Sequence, residues 1–271
     1  MPDAMLTFRH ADDWPKGRVR VTWTDRGSRP LIPEVERLID EAWAAAASRP
    51  GVYLFDGPMC RLESARASDD GLELLTSPTS YKAFLGTNMA HPELADRHGR
   101  GVLANPLGVS VALETADGQL ALGRRNQSVA YYPGHVHPFA GALEPGDRAD
   151  PFTTARRELA EELSLAAHET TDLRCAGLVE DRALLQPELI LLARTALASD
   201  QIRDRVDRTE HEGVVFVAAD ELADVPHVMK RWDRVTPVAV ASLLLWGRSK
   251  WGSAWFDRES KRFTGPGPIS P

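Results

Sequence analysis

Apolar residues recur along this chain with two different periods. Between residues 34 and 47, Val35, Leu38, Ile39, Ala42, Trp43 and Ala46 fall at helical spacing, with Pro33 before them and Pro50-Gly51 after. That pattern predicts one amphipathic helix. Residues 52–55, 61–67 and 72–76 read as short strands joined by polar turns, among them Asp69-Asp70-Gly71. A small helix is expected around residues 81–85. The polar, glycine-containing run PELADRHGRG at 92–101 reads as a loop between domains.

Beyond residue 107 the pattern changes. Val109, Val111 and Leu113 alternate with small or polar residues, Asp117-Gly118 offers a hairpin turn, and Leu120 and Leu122 continue on the other side. Residues 126–150 are rich in turn formers. A helix is expected at 153–163, strands at 173–179, 188–194 and 214–218, and a second long helix at 236–246. Residues 250–271, rich in Trp, Gly and Pro and ending GPGPISP, read as an irregular tail. Strands interleaved with helices predict an α/β domain with a mixed sheet.

Composition narrows the function classes. The 271 residues are 43% hydrophobic and 26% charged, enough for a packed core in one large domain or two smaller ones. A net charge of -7 argues against a nucleic-acid partner, whose footprint is basic, and suits an enzyme that collects carboxylates around a metal. The two cysteines, Cys60 and Cys175, form neither a CxxC pair nor a disulfide framework, as expected in a reducing compartment. The first residues lack a continuous apolar segment, and the apolar run at 238–246 is too short to span a bilayer. A soluble, cytoplasmic protein is therefore expected, acting on a small molecule. The chain shows no helix-turn-helix pattern and no Walker-type phosphate loop.

The densest chemistry lies in ARRELAEELSL at 155–165. Glu158, Glu161 and Glu162 stand at i, i+3 and i+4, which places three carboxylates on one helix face within about a turn. Like charges so close repel unless a cation sits among them, and hard oxygen donors suit Mg²⁺ or Mn²⁺. Arg157, four before Glu161, is positioned to hold a carboxylate in a productive rotamer. A glutamate-rich helix is more often a solvated face, with Arg157–Glu161 a surface pair worth about 0.3–0.5 kcal/mol. The upstream residues decide against that reading. Gly141 is followed after five residues by Asp147 and then by this helix, which resembles the Nudix box, Gly-x5-Glu-x7-Arg-Glu-U-x-Glu-Glu-x-Gly-U, U being aliphatic. Asp147 stands for the first Glu, the spacer to Arg157 is nine residues instead of seven, and Ser164 replaces the closing Gly.

The rest of the chain resembles one atypical Nudix branch, the UDP-glucose/UDP-galactose pyrophosphatases of animals and their plant relatives. LFDGPMCRLESA (54–65), TSYKAFLGTN (79–88), NPLGVSVAL (105–113) and GRRNQSVA (123–130) carry the likeness, which covers most of residues 35–248. The resemblance implies a Nudix α/β/α sandwich at 101–249, preceded by a small α+β N-terminal domain at 1–100 that contributes to the nucleotide pocket. It implies Mg-dependent hydrolysis of a UDP-sugar to UMP and sugar 1-phosphate, with the metal on Glu158 and Glu162. It sets the base against Phe55 and Tyr81, where stacking contributes about 1–3 kcal/mol. Arg125 would reach a phosphate, and Ala130, His137 and Glu144 would line the pocket. His137 and Ala142 stand where the animal relatives carry an acid and a His. Glu212, just before the strand at 214–218, is the expected further ligand or base, and Glu161 is the other candidate base.

Each residue has a plainer reading: Phe55 and Tyr81 as core, Arg125 as an edge-strand gatekeeper, Glu212 as a loop acid. His135 and His137 form an HxH with no third ligand nearby, a poor zinc site. Two alternative functions remain open on the sequence. One is a Nudix pyrophosphatase for ADP-ribose, NADH, a CoA ester or capped RNA; the other is a non-catalytic nucleotide sensor.

Overall fold

The structure is a computed structural model, and it describes residues 4–27, 29–49, 54–147 and 149–265. The first part of the chain runs β1 (Leu6–Pro15), β2 (Val19–Trp23), α1 (Pro33–Ala47), β3 (Pro58–Ser68) and β4 (Gly71–Ser80). It continues through α2 (Tyr81–Phe84), one π-helical turn (Leu85–Met89) and α3 (Leu94–His98). The second part holds β5 (Gly108–Glu114), β6 (Gln119–Arg125), β7 (Val136–His137), β8 (Phe139–Ala142) and α4 (Pro151–Leu163). After it come β9 (Thr170–Asp181), β10 (Gln186–Thr195), α5 (Ser199–Arg205), β11 (His211–Ala218), α6 (Val225–Trp232), α7 (Pro237–Trp251) and α8 (Ser253–Ser260).

The large sheet has the order β1-β9-β10-β5-β6-β11, with β8 added to β5 and β7 to β6. It is mixed, as expected: β10 runs parallel to β5, whereas β9–β10, β5–β6 and β6–β11 are antiparallel. Alternation along the strands sorts side chains onto two buried faces. Val109, Val111, Leu113, Leu189 and Leu191 meet Phe152, Ala155, Leu159 and Leu163 of α4 on one face. Ala112, Leu120, Leu122, Ile190 and Leu192 meet Val240, Leu243 and Leu244 of α7 on the other. Each fully buried Val, Leu, Ile or Phe among these contributes about 1.5–3 kcal/mol, so two helices and one sheet make an α/β/α core. The α7 helix is buried almost all round from Pro237 to Gly247, which explains why its sequence is continuously apolar. Among the described residues no helix is long and apolar enough to cross a membrane.

A second sheet, β2-β4-β3, lies in the N-terminal part. Backbone bonds tie it to the large sheet: Cys60 N donates to Leu143 O (2.8 Å), Leu107 N to Cys60 O (2.8 Å), and Leu62 N to Asn105 O (3.0 Å). The first strand belongs to the large sheet, antiparallel to β9.

Three local expectations change, and one strand carried no expectation at all. No strand forms at Leu54 and Phe55 of the stretch expected at 52–55, Val52 and Tyr53 lying outside the described residues, and the strand expected at 61–67 starts earlier, at Pro58. The polar run at 92–101 is mostly helix, because Leu94 is fully buried with Val35, Val102 and Leu103 and anchors α3 from a single apolar position. The expected irregular tail contains α8, whose Trp255 and Phe256 pack into the core on the α7 side; residues 266–271 lie outside the described residues. Finally, β1 escapes a period-two reading because register shifts at Phe8/His10 and Ala11/Trp14 break its alternation.

Candidate active site

The α4 helix is set by its ends. Asp150 caps it, accepting from Phe152 N (3.0 Å) and Thr153 Oγ1 (2.9 Å), and Pro151 supplies a pre-formed first turn. Ser164 closes it in the left-handed region at φ 52°, where the Nudix pattern has Gly. With the apolar stripe locked into the core, Glu158 and Glu162 are carried inward beside it, 6% and 3% exposed. Glu161 is not with them: its side chain is 59% exposed, because a further 100° or so per residue turns it to solvent. The expected trio is thus a buried pair plus one outer carboxylate.

Room for Glu158 comes from Gly141 on β8, where a Cβ would sit 1.9 Å from Glu158 Oε1. Arg157 joins the inner and outer acids, with Nη1 2.8 Å from Glu158 Oε1 and 3.3 Å from Glu161 Oε2, and Nη2 3.6 Å from Glu144 Oε1. Burial pushes the Glu158 carboxyl up to about 8; Arg157 opposes this, while Glu162, Glu161 and Glu210 add to it. Glu162 is pushed well above its ordinary range by burial and then by Glu210. Neither Glu162 oxygen has a hydrogen-bond partner among the described residues. His211 at the start of β11 also faces it, with Nε2 3.2 Å from Glu162 Oε2 but off the line of a hydrogen bond, and the Ala140 backbone favours its charged form.

Arg125, at the end of β6, is 8% exposed and forms the positive centre of this sheet end. Its Nε donates to Tyr131 O (2.9 Å), and its guanidinium lies over the Tyr131 ring at 5.6 Å. Its charge acts on Glu162, Glu188, His211, His137 and Tyr81. Glu188 of β10 is a third buried acid here, and sequence reasoning missed it. It fills the space over Gly108, where a Cβ would meet its Oε2 at 1.8 Å, and its Oε1 accepts from Ser110 Oγ (2.6 Å). Burial pushes Glu188 up to about 8, with Ser110 opposing. The available signal was an acid opening an apolar strand opposite two small residues.

Residues 104–236 match the NUDIX domain model. Over these residues the chain carries a Nudix hydrolase domain. Similar proteins include the uridine diphosphate glucose pyrophosphatases NUDT22 of Bos taurus and Homo sapiens. The first is 27% identical over 274 residues, covering 86% of this chain and 92% of its own length. The second is 26% identical over 272 residues, covering 86% and 88%. Among solved structures, a NUDIX hydrolase from Alicyclobacillus acidocaldarius is similar at 15% identity and TM-score 0.41, over 59% of this chain and 98% of that one.

Within the Nudix domain the other expected residues are spread unevenly around the carboxylate pair. Glu212 is exposed and takes a bond from Gln127 Nε2 (3.3 Å). Glu210, two residues earlier and exposed like Glu212, is an acid whose charge acts on both Glu158 and Glu162. A register shift in β11 lies between His211 and Gly213. His137 is 2% exposed; its Nδ1 is 2.9 Å from Thr236 Oγ1, and burial holds its imidazole well below the usual range. It is therefore closed to solvent. His135 turns elsewhere, toward Pro133 O (2.9 Å), so the HxH does not converge. Ala130 lies exposed in the turn between β6 and β7, and Glu144 is half-buried beyond β8. The Asp147 side chain lies outside the described residues.

The N-terminal part supplies the aromatics. Phe55 is 69% exposed, and Tyr81 is half-buried, edge-on to Trp43 with centroids 6.3 Å apart. Both sit at one junction, since Tyr81 N donates to Gly57 O (3.0 Å) and Lys82 N to Asp56 Oδ1 (2.8 Å). Burial raises the Tyr81 phenol while Arg125 lowers it, which puts that hydroxyl within electrostatic reach of the Nudix-domain arginine.

Proposed function

We propose that this chain is a divalent-cation-dependent hydrolase of UDP-sugars, converting UDP-glucose or UDP-galactose and water to UMP and the sugar 1-phosphate. The observation that carries the proposal is Glu162, buried beside Glu158, whose carboxylate oxygens make no well-formed hydrogen bond among the described residues, the Ala140 backbone and His211 Nε2 lying beside them. A buried carboxylate without a partner costs several kcal/mol, and a cation offsets that cost. Among the described residues no three His, Cys, Asp or Glu side chains already converge as a metal site. Two carboxylates are nonetheless the usual protein share of a Mg²⁺ site, whose remaining positions go to water and substrate phosphate. The donor set therefore fits Mg²⁺, with Mn²⁺ as the substitute, held by Glu158 and Glu162. When bound, that ion supplies positive charge against the diphosphate oxygens.

The chain's own groups do the rest. Arg125, a buried guanidinium with no carboxylate ion pair among the described residues, binds a phosphate. Arg157 holds Glu158 in place by its short contact and keeps Glu161 and Glu144 alongside. Glu161, reaching solvent at the edge of the pair, takes the proton from the attacking water. Phe55 and Tyr81 offer faces for the uracil, which gives the N-terminal part, residues 1–100, its role in substrate selection. Support for the uridine nucleotide comes from the relatives' name and from their coverage of 86% of this chain.

Purified protein is incubated with UDP-glucose and Mg²⁺, with ADP-ribose for comparison and EDTA as control. UMP and glucose 1-phosphate should appear faster than AMP, and EDTA should stop both. AMP release outpacing UMP release overturns the substrate assignment; no turnover of any diphosphate overturns the hydrolase and leaves a nucleotide-binding role.

A further inference from the structure

Arg125 reaches for a phosphate on a long side chain, and such a chain serves binding only if its guanidinium is held in one place. Tyr131 holds it in two ways. Its backbone oxygen accepts from Arg125 Nε (2.9 Å), and its ring faces the guanidinium, with Arg125 Cζ 5.6 Å from the centroid. The hydrogen bond takes Nε and leaves the Nη donors, which suit the oxygens of a phosphate. One bond at Nε fixes a point but not the plane of the guanidinium. The ring supplies the second restraint as a cation–π contact, stronger at this buried arginine than on an open surface.

The ring is itself fixed by three aromatic neighbours. It meets Tyr132 edge-on at 4.8 Å, His137 edge-on at 5.5 Å and Phe84 at a tilt, 6.5 Å between centroids. Tyr132 anchors the turn between β6 and β7. It sits in the left-handed region at φ 47°, and its hydroxyl donates to Asp181 Oδ2 (2.7 Å). Asp181 is buried in its turn, and its Oδ1 accepts from Ala183 N (2.8 Å) and Leu184 N (3.3 Å). Phe84 ends α2 in the N-terminal part, buried with Met59, Ala83 and Ala104 in the cluster against which Tyr131 packs. Tyr131 therefore touches the Nudix-domain arginine and the N-terminal core at once. We propose that Tyr131 is a positioning residue for phosphate binding: its ring, seated on Phe84, sets the plane of the Arg125 guanidinium. The N-terminal part then shapes the phosphate end of the site as well as the base end. This inference rests on the phosphate role proposed above for Arg125.

The full chain is titrated with UMP and with uridine by isothermal calorimetry in Mg²⁺; the two ligands differ only in the phosphate, and neither holds a diphosphate to cleave. Wild type should bind UMP more tightly than uridine, and Arg125→Gln should remove the difference. Tyr131→Leu keeps the backbone oxygen and the apolar bulk against Phe84 but loses the ring face. It should weaken UMP binding about tenfold and leave uridine binding unchanged, whereas Tyr131→Phe should restore UMP binding. Progressively fluorinated phenylalanines at position 131 keep the ring's shape while draining negative charge from its face, and they should weaken UMP binding stepwise. Tyr131→Leu that weakens both ligands alike, or a fluorinated series without effect, overturns the positioning role and leaves that of Arg125 standing. A wild type without preference for UMP, or an Arg125→Gln chain that keeps the preference, overturns the phosphate role of Arg125 and the inference with it. No binding of either ligand overturns the uridine-nucleotide reading itself.

Discussion

Glu188 makes the folded protein sensitive to pH in a direction opposite to that of an ion-paired acid. Its carboxyl is raised from an ordinary 4.5 to about 8, chiefly by burial. A raised acid favours the folded state fully below its unfolded value and loses that contribution as pH rises toward its folded value. At pH 7 the folded chain must therefore keep a proton on Glu188 that the unfolded chain has released. The gap of about 2.5 pH units, at about 1.36 kcal/mol each, makes this cost about 3 kcal/mol. Glu188→Gln keeps the shape and the oxygen that accepts from Ser110, but carries no titrating proton. The variant should be more stable than wild type by about 3 kcal/mol at pH 7, and about equal to it at pH 4. For a chain of this size that corresponds to a Tm rise of about 5–10 °C at pH 7. Urea and thermal unfolding of both proteins in EDTA, at intervals from pH 4 to pH 8, measure the difference. A difference independent of pH, or a variant less stable at pH 7, would refute the reasoning.

Further consequences follow from single contacts. Gly141→Ala puts a Cβ 1.9 Å from Glu158 Oε1; forcing the carboxylate aside should lower kcat about 100-fold, with a near-normal Tm, in a steady-state assay. Ser164→Gly relieves a left-handed residue at the end of α4 and should stabilise the protein by roughly 0.5–1 kcal/mol in urea unfolding. Glu210→Gln removes a negative charge that acts on both buried acids and should weaken Mn²⁺ binding, whereas Glu212→Gln should leave it unchanged; titration followed by electron paramagnetic resonance separates the two.

Where one period governed a segment, the sequence could be read directly. The helices at 33–47 and 151–163, the β5–β6 hairpin and the long apolar α7 followed from spacing and turn residues, because packing on a core face is what those patterns record. Arg157 contacts both Glu158 and Glu161, of which only the spacing to Glu161 could be read from the sequence. The misses came from tertiary context. Nothing local distinguishes Glu161 from its neighbours, because its exposure depends on which stripe of α4 meets the sheet. Glu188 and His211 are single polar residues on strands, and their meaning comes from Gly108 and Gly123 on neighbouring strands far away in sequence. The charge of Glu210 on the buried pair comes from the turn before β11, where the register shift between His211 and Gly213 hides it from simple alternation.

The most direct test of the central claim is UMP release from UDP-glucose in Mg²⁺ by wild type and Glu162→Gln, side by side, with circular dichroism to confirm that both are folded. The account predicts Mg²⁺-dependent turnover by wild type and a loss of at least about 100-fold in kcat for the folded variant. Near-normal turnover by Glu162→Gln would contradict it, because the buried carboxylate with no partner would then carry no part of the chemistry.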